Sequence, residues 1–492
     1  MTRPDLRSAG LLLACACAVP VAGALEVRPS IEVTAVYTSN LTLSPGNDID
    51  PLNPKVDDVV TRVDPRIDIS HKSPRIDLRG DYTYSYLRYS ETSESDASFS
   101  AGGAALDLTL IKDLLTLESF VDQSRQLINP EFSPVTEVSI VDGRTDQTVL
   151  ETSPHLQTTV FGVGIDMRYM RGTIDFNFDT PVVEDSDQPE ETQNVAYREA
   201  HTAITSEEQN RGLAWGLFHD YEVYKYKTGS DNKAERAYLT LTYGLRQAGD
   251  LFIFGSAGRE NDYRDFKTGR LVDSYLELGI RRTTARTLVE VSFRDRSFGS
   301  ALNGKIRREL NKGSIELAYR EDPSVQESLF EQRTTNPALP PPGGPDDLDP
   351  PGTGDRFVYR VLSLTLLKEL GRNKIEVVAF NEEREDIIDR DPQPGDPPNP
   401  ETSEYQVGVK GEAVRQVGPR TTAGLEGKIV NREFKDGNDD QLSTIRLVGT
   451  YALGRRLTLE GWLAHHQQRG SNDLKFNYEE FQAGLSANYS FR

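Results

Sequence analysis

The chain ends on Phe481–Arg492, which reads Phe-Gln-Ala-Gly-Leu-Ser-Ala-Asn-Tyr-Ser-Phe-Arg. Its odd-numbered positions are apolar, and its even-numbered positions are small or polar. Because successive side chains of a β-strand point to opposite faces, this alternation predicts a strand with one apolar face and one polar face. The length also suits a tilted strand that crosses the hydrocarbon core of a membrane, which takes about 9–11 residues. The segment therefore predicts the last strand of a transmembrane barrel.

The same alternation recurs along most of the chain. Ser30–Leu43 predicts the first strand, and Arg75–Tyr89 places Tyr82, Tyr84 and Tyr86 on one face of the third. Strands with one apolar face are expected wherever this period of two persists. We count about 22 such segments, within a range of about 18 to 24, because boundaries are the least certain feature of a single sequence.

One stretch is harder to place than the others. Gly304–Leu310 is short and basic for a strand. Further back, Thr159–Tyr169 and Thr173–Val183 are predicted as neighbouring strands joined by a tight turn at Met170–Gly172. A long polar loop is predicted before them, at Ile128–Glu151.

The connections between the predicted strands alternate in length. Four-residue turns are predicted at 71–74, 111–114, 247–250 and 370–373, and longer loops separate them, such as the proline-rich stretch 334–354. Bacterial outer-membrane barrels have short periplasmic turns and longer extracellular loops. A β-solenoid would show a fixed repeat period, and the sequence has none. The predicted fold is an all-β, antiparallel transmembrane barrel of the bacterial outer membrane.

The composition fits such a barrel. Only 36% of the residues are hydrophobic, whereas an ordinary globular domain has about 45–50%. The 20 Tyr and 19 Phe nevertheless argue against disorder. A membrane barrel needs apolar residues only on its outer face and keeps its lumen polar. The net charge of −21 gives no reason to expect nucleic acid as a partner.

The N-terminus predicts export. Two arginines precede an apolar run at Ala9–Val21, and Ala22–Ala24 fits the small-x-small cleavage rule. We predict a cleaved signal peptide at 1–24, a single barrel domain at 25–492, and an outer-membrane location in a Gram-negative bacterium. A lipoprotein signal is the alternative, since Leu12–Cys15 loosely resembles a lipobox.

Reactive side chains give little sign of chemistry. Cys15 and Cys17 lie inside the signal, so no thiol is expected in the mature chain. The six histidines show no Ser–His–Asp spacing. The acidic clusters at 346–349 and 436–440 lack the spaced ligands of an EF-hand loop. We predict no enzyme activity, no metal site and no cofactor.

Charged residues in the phase opposite to the apolar face form the most informative polar set. Their signs are mixed, and two interpretations are open. They could form a ladder of opposite charges, each pair contributing about 0.2–1 kcal/mol to the wall, or they could line a channel for polar solutes or glycan. The candidate lumen-lining residues are Arg79, Arg246, Glu277, Glu290, Arg294, Glu316, Arg320, Lys410, Glu412, Glu426, Lys428 and Arg446.

The first ninety residues carry a resemblance to a known family. The segments that carry it are Pro29–Val33, Tyr37–Leu43, Pro65–Ile69 and Asp81–Tyr86. They resemble the outer-membrane β-barrel proteins associated with the PEP-CTERM system, a porin type found near exopolysaccharide genes. The resemblance implies an outer-membrane location and a role in exopolysaccharide or envelope export, and it brings no active site.

The end of the chain also resembles the C-terminal aromatic signature of such barrels. This implies that the closing strand serves as the assembly signal for the barrel-assembly machinery and pairs with Ser30–Leu43. The residues expected to carry the signal are Phe481, Leu485, Tyr489 and Phe491.

Three functions are compatible with these observations. The first is a passive porin-like channel or a component of exopolysaccharide export. The second is a non-conducting barrel whose loops bind polysaccharide or a protein partner, and the third is a barrel hydrolase. The expected partners are outer-membrane lipid and lipopolysaccharide, the assembly machinery, and exopolysaccharide or its export proteins.

Overall fold

A computed structural model describes most of the chain. The described residues are 25–43, 55–127, 144–178, 194–206, 212–226, 232–245, 250–264, 271–296, 299–325, 356–386, 403–433, 439–470 and 477–491. The predicted signal peptide, the proline-rich stretch 334–354, the acidic cluster 346–349 and the candidate Arg246 lie outside them.

The described residues form 22 strands in one antiparallel sheet, with a single 3-10 turn at Ser93–Ser95. The strands are β1 (Glu26–Thr38), β2 (Asp58–Lys72), β3 (Ile76–Tyr89), β4 (Ala97–Ile111), β5 (Leu115–Leu127), β6 (Arg144–Val160), β7 (Val163–Phe178), β8 (Asn194–Ser206), β9 (Gly212–Tyr226), β10 (Asn232–Leu245), β11 (Asp250–Arg264), β12 (Leu271–Thr283), β13 (Thr287–Arg296), β14 (Gly299–Leu310), β15 (Gly313–Val325), β16 (Arg356–Leu370), β17 (Asn373–Asp386), β18 (Ser403–Gly418), β19 (Thr421–Glu433), β20 (Asp439–Leu453), β21 (Leu457–Gly470) and β22 (Tyr478–Ser490). The predicted strand number is confirmed.

The model contains no helix, within the described ranges, that is long and apolar enough to span a membrane.

The last strand closes the sheet onto the first. β22 pairs antiparallel with β1 from Ser30 opposite Ser490 to Thr38 opposite Gln482. Backbone hydrogen bonds continue past the strand ends, since the Phe491 amide donates to the Pro29 carbonyl at 2.9 Å. Every strand therefore has a neighbour on both sides. This is the requirement for a sheet in lipid, where unpaired backbone groups are costly.

The two ends of the barrel differ in the length of their connections. At the end that holds Glu26 and Ser490, the connections run from two residues (161–162) to five (207–211). At the other end they range from two residues (297–298) to the long stretch 326–355. The alternation follows the predicted scheme apart from 297–298 and the five-residue connections 227–231 and 434–438, which are no longer than the longest short turn. We call the two ends the short-turn end and the long-loop end, and outer-membrane barrels place them in the periplasm and outside the cell.

One predicted turn is wrong. Instead of turning at Met170–Gly172, the chain turns at Phe161–Gly162, where the φ angles are 52° and 78°. Two successive positive φ angles are typical of a tight hairpin turn, with glycine at one of the two positions. Phe161 shares the phase of the apolar residues that follow it, which hid this turn. The strand before it begins at Arg144, within the predicted loop Ile128–Glu151.

The short, basic segment near residue 304, which is hard to place from the sequence, is part of a strand. The predicted segment Gly304–Leu310 forms the second half of β14, and its pairing to β13 extends from Arg308 opposite Thr287 to Gly299 opposite Arg296. Its basic residues alternate between the two faces rather than interrupting the sheet.

Exposure separates an outer face from an inner face. On β12, Leu276, Leu278 and Ile280 are exposed by 50%, 65% and 43%, whereas the preceding residue, Tyr275, is 2% exposed. The same alternation runs around the barrel. Side chains converge on the concave side of a closed sheet and diverge on its convex side. The inner face is therefore crowded even where its residues are polar, as with Gln468 at 2%.

The outer face divides into two zones. From the short-turn end, outward side chains are mostly apolar over roughly 8–10 residues, close to what a tilted strand needs to cross a bilayer. We call this zone the membrane belt. Toward the long-loop end the outward side chains become polar and charged, and we call this second zone the collar. Its outward-facing members include Arg171, Arg198, His219, Glu235, Arg259, Arg360, Glu383, Asn431, Gln441, His465 and Glu479.

The belt predicts a depth-dependent cost of charge on β20. Leu447→Arg places a cation within the belt, where we expect the free energy of unfolding to fall by about 2–4 kcal/mol. Gln441→Arg lies in the collar of the same strand, and its expected cost is only about 0–1 kcal/mol. Urea unfolding of the protein in lipid vesicles measures both values. Equal costs at the two positions would contradict this placement of the belt.

Candidate functional site

The inner wall carries charged residues that pair across neighbouring strands. Glu277 on β12 lies opposite Arg294 on β13, with Oε1 and Nε 2.9 Å apart. The Tyr275 hydroxyl donates to the same carboxylate at 2.8 Å. Near the short-turn end, Arg79 instead contacts Asp77 of its own strand, β3, at 2.9 Å, and its side chain is largely exposed to the lumen. Opposite charges in register stabilise such a wall.

Arg446 is the centre of a second inner-wall group. Its guanidinium lies 3.6 Å from Glu426 on β19 and 3.3 Å from Glu460 on β21. All three side chains are 34–43% exposed. One cation is thus held between two carboxylates that solutes in the lumen can reach.

Not all inner charges follow a ladder of opposite signs. Lys410 lies directly opposite Lys428. One step along β18, Glu412 lies between Glu376 and Glu426. Like charges placed opposite each other destabilise a sheet. In this part of the wall, charges in direct register therefore have the same sign.

The remaining candidates also face inward. Glu316 contacts Lys305 at 2.9 Å, and Glu290 lies in register between Arg281 and Lys305. Arg320 shares the phase of Glu316 on β15. The structure thus places every candidate lumen-lining residue that it describes on the inner face, and their role in solute passage stays a prediction. Arg246 lies outside the described residues.

Sequence reasoning missed an aromatic and arginine group on β9 to β12. The Arg236 guanidinium lies 5.0 Å from the Tyr238 ring centroid and 5.2 Å from that of Tyr275. It also pairs with Asp220 at 2.9 Å, and the Phe218 ring stacks on Tyr238 at 5.0 Å. The phase of these residues could have placed them inside, but their mutual contact depends on strand register. In this part of the wall the charged side chains are therefore paired with each other and packed against aromatic rings.

The histidines do not form a hydrolytic site. His155 contacts Asp166 at 3.0 Å and His201 contacts Asp220 at 2.6 Å, beside a lumen-facing recess of about 610 Å³. Among the described residues, no histidine side chain bridges a hydroxyl and a carboxylate as a triad requires. No group of three or more metal-ligating side chains occurs in the part of the chain that the structure describes.

An apolar cluster lies inside the barrel at its closing seam. We call it the seam cluster, and Trp462 on β21 is one of its partly buried members. The Trp462 ring lies over Gly484 of β22, which is in register with Val36 of β1, so the ring spans the closing strand. Leu41, from the connection after β1, is 0% exposed. The members are Val36, Leu41, Val60, Leu87, Tyr89, Phe99 and Trp462.

The four closing-strand residues of the predicted assembly signal lie on one phase of β22. Phe481 and Leu485 are exposed by 43% and 63% on the outer face. The Tyr489 ring meets Phe491 edge to face at 5.0 Å near the short-turn end. This position is where an interfacial aromatic girdle would lie, and the role of these residues in assembly stays a prediction.

Comparison with known proteins supports the fold and no narrower identity. No family model and no curated protein matches the chain. The FrpB iron transporter from Neisseria meningitidis aligns over 94% of this chain and 81% of its own, at 12% identity and a TM-score of 0.54. The siderophore receptor PirA from Acinetobacter baumannii aligns over 95% and 80%, at 9% identity and 0.52.

A variant of the ferric enterobactin receptor from Pseudomonas aeruginosa, in complex with enterobactin, aligns over 95% of this chain and 81% of its own, at 10% identity and 0.52. At these identities the likeness concerns the fold alone. Fold and likeness together define the class: the chain is a closed, 22-stranded outer-membrane β-barrel.

The packing of the seam cluster predicts that alanine substitution at two glycines has different effects on stability. A Cβ at Gly484 would overlap the Trp462 ring, whereas a Cβ at Gly461 on the outer face meets nothing nearer than 3.8 Å. We expect Gly484→Ala to lower the free energy of unfolding by about 1–3 kcal/mol through overpacking, and Gly461→Ala to have little effect. Urea unfolding in vesicles compares them, and equal stability of the two variants would exclude the packing described for the seam.

Proposed function

We propose that this barrel is a passive channel for polar solutes across the outer membrane. The observation that carries the proposal is the inner wall, where accessible charges of both signs line a closed sheet of 22 strands. Larger strand numbers give wider barrels, and diffusion down a gradient requires no catalytic group.

The solute class is a narrower proposal. The resemblance of the first ninety residues supports exopolysaccharide or another envelope glycan, for which hydroxyl groups can bond to both carboxylates and guanidinium groups. The iron and siderophore cargo in the names of the similar structures is not carried over, because the likeness at 9–12% identity concerns the fold.

Planar-bilayer conductance tests the channel. Because the wall has both signs, we expect the purified protein to conduct with a cation-to-anion permeability ratio within about threefold of unity. Arg446→Gln leaves Glu426 and Glu460 uncompensated, and should shift the ratio toward cations by about twofold. Glu426→Gln with Glu460→Gln is the matched opposite change and should shift it toward anions. If the protein conducts but neither variant shifts the permeability ratio, the group around Arg446 does not line the path of the ions.

A second candidate, a non-conducting binding barrel, is favoured by one observation. The segment Ser39–Leu43 turns in over the long-loop end of the inner wall, where Asn40 and Leu41 are both 0% exposed. The Asn40 side chain donates to the Glu479 carbonyl at 3.1 Å, and the Leu41 amide to the Val56 carbonyl at 2.7 Å. The segment is therefore fixed against the wall at that end of the barrel.

Leu41→Asp separates the two candidates. A carboxylate in the seam cluster is costly to bury, so this change should release the segment from the wall. If the barrel is closed by Ser39–Leu43, the wild-type protein will be silent in bilayers and the variant will conduct. If wild type and variant conduct equally, the second candidate is wrong. Leu43→Ser, at 3% exposure in the same segment, is a milder comparison without a new charge.

A further inference from the structure

The collar contains an uninterrupted row of basic side chains on its outer face. Arg171 on β7 lies directly opposite Arg198 on β8. The row continues through Val223 on β9 to Lys233 on β10. On its other side the neighbour of Arg171 is Thr152 on β6. Three cations and no carboxylate thus occupy one line across five strands.

The two arginines are not neutralised by the described part of the protein. Both are exposed, and neither makes an ion pair or hydrogen bond with any described residue. The nearest outward carboxylate along the neighbouring row, that of Glu235, is held by His219 at 3.0 Å. Like charges placed directly opposite destabilise a sheet. In a chain of net charge −21, this arrangement indicates a site that needs an anion.

The position of the pair indicates which anion. One step toward the membrane belt from the arginines, Tyr169 on β7 and Tyr221 on β9 flank Ala200 on β8. Tyr169 is 43% exposed on the outer face. Tyrosines at this depth belong to the interface between hydrocarbon and head groups. Beyond them Met167 and Leu217 are exposed by 46% and 48% within the belt.

Along β7, from the belt upward, the outer side chains change from apolar at Met167 to aromatic at Tyr169 to cationic at Arg171. This order matches an amphipathic lipid with acyl chains below and a phosphate above. The small Ala200 leaves a shallow gap between two tyrosines at the level where the lipid backbone would lie. Guanidinium groups bind phosphate with paired hydrogen bonds, and two adjacent arginines can share one phosphate.

We propose that Arg171 and Arg198 form a binding site for the phosphate of an outer-leaflet glycolipid of the lipopolysaccharide type, with Lys233 at its edge. Tyr169, Ala200 and Tyr221 support the part of the lipid next to the phosphate. The site lies on the outside of the barrel and is independent of conduction through the lumen. Loss of channel activity would leave it unaffected.

Native mass spectrometry of the detergent-solubilised barrel tests the site with bisphosphorylated lipid A as the probe. Arg171→Gln with Arg198→Gln should lower lipid A binding by about tenfold, because charge-assisted contacts to the phosphate are lost. Arg88→Gln with Arg259→Gln is the matched control. It removes the same charge from two exposed outward positions in the collar that are far apart in the sheet. The control should bind within about twofold of wild type.

Two further measurements make the assignment specific. Lipid A without its phosphates should bind about as weakly to the wild type as intact lipid A binds to the double variant. Inorganic phosphate at the same concentration should not compete, since it lacks the chains that contact the belt. The proposal is overturned if the double variant and the control bind lipid A equally, or if inorganic phosphate displaces it. Heat-dependent gel mobility verifies that each variant is a folded barrel.

Discussion

A sheet that lies in hydrocarbon cannot leave backbone hydrogen bonds unmade, and the rest of this structure follows from that constraint. The pairing of β22 with β1 removes the two edges that an open sheet would expose. It brings Glu480 of the last strand to Thr38 of the first, where the hydroxyl donates to the carboxylate at 2.6 Å. The seam cluster then covers the same junction from inside, with the Trp462 ring lying across Gly484. The first and last strands are therefore joined by backbone, polar and apolar contacts together.

Closure also gives the two faces different chemistry. The convex face meets lipid and retains exposed leucines, whereas the concave face brings side chains together and favours contacts among them. Paired charges such as Glu277 and Arg294 occur there because neighbouring strands hold them in register. The Lys410 and Lys428 pair departs from this pattern inside the barrel, as Arg171 and Arg198 do outside it. In both places two like charges lie directly opposite each other, the first pair on the inner face of the barrel and the second on its outer face.

The strand number, the closure and the inward phase of the described candidates could be predicted from the sequence, because a period of two is visible in most strands, although β6 begins within a stretch predicted as a loop. The turn at Phe161–Gly162 could not, since Phe161 continues the apolar phase of β7. Side-chain contacts between strands could not be predicted either, for a different reason. That Arg236 meets Tyr275, or that Arg171 faces Arg198, depends on the stagger of non-adjacent segments, and alternation within one strand contains no information about stagger.

Most strands are longer than the belt requires. For example, β5 has 13 residues and β6 has 17, whereas β13 has only 10. The same hydrogen-bonded ladder therefore passes from hydrocarbon into water without interruption. Its amide hydrogens should exchange with deuterium at two rates along each strand, slowly in the belt and faster in the collar. The positions at which the exchange rate changes would mark the level of the bilayer surface around the protein. Hydrogen exchange would therefore measure how deeply the barrel is inserted in its membrane.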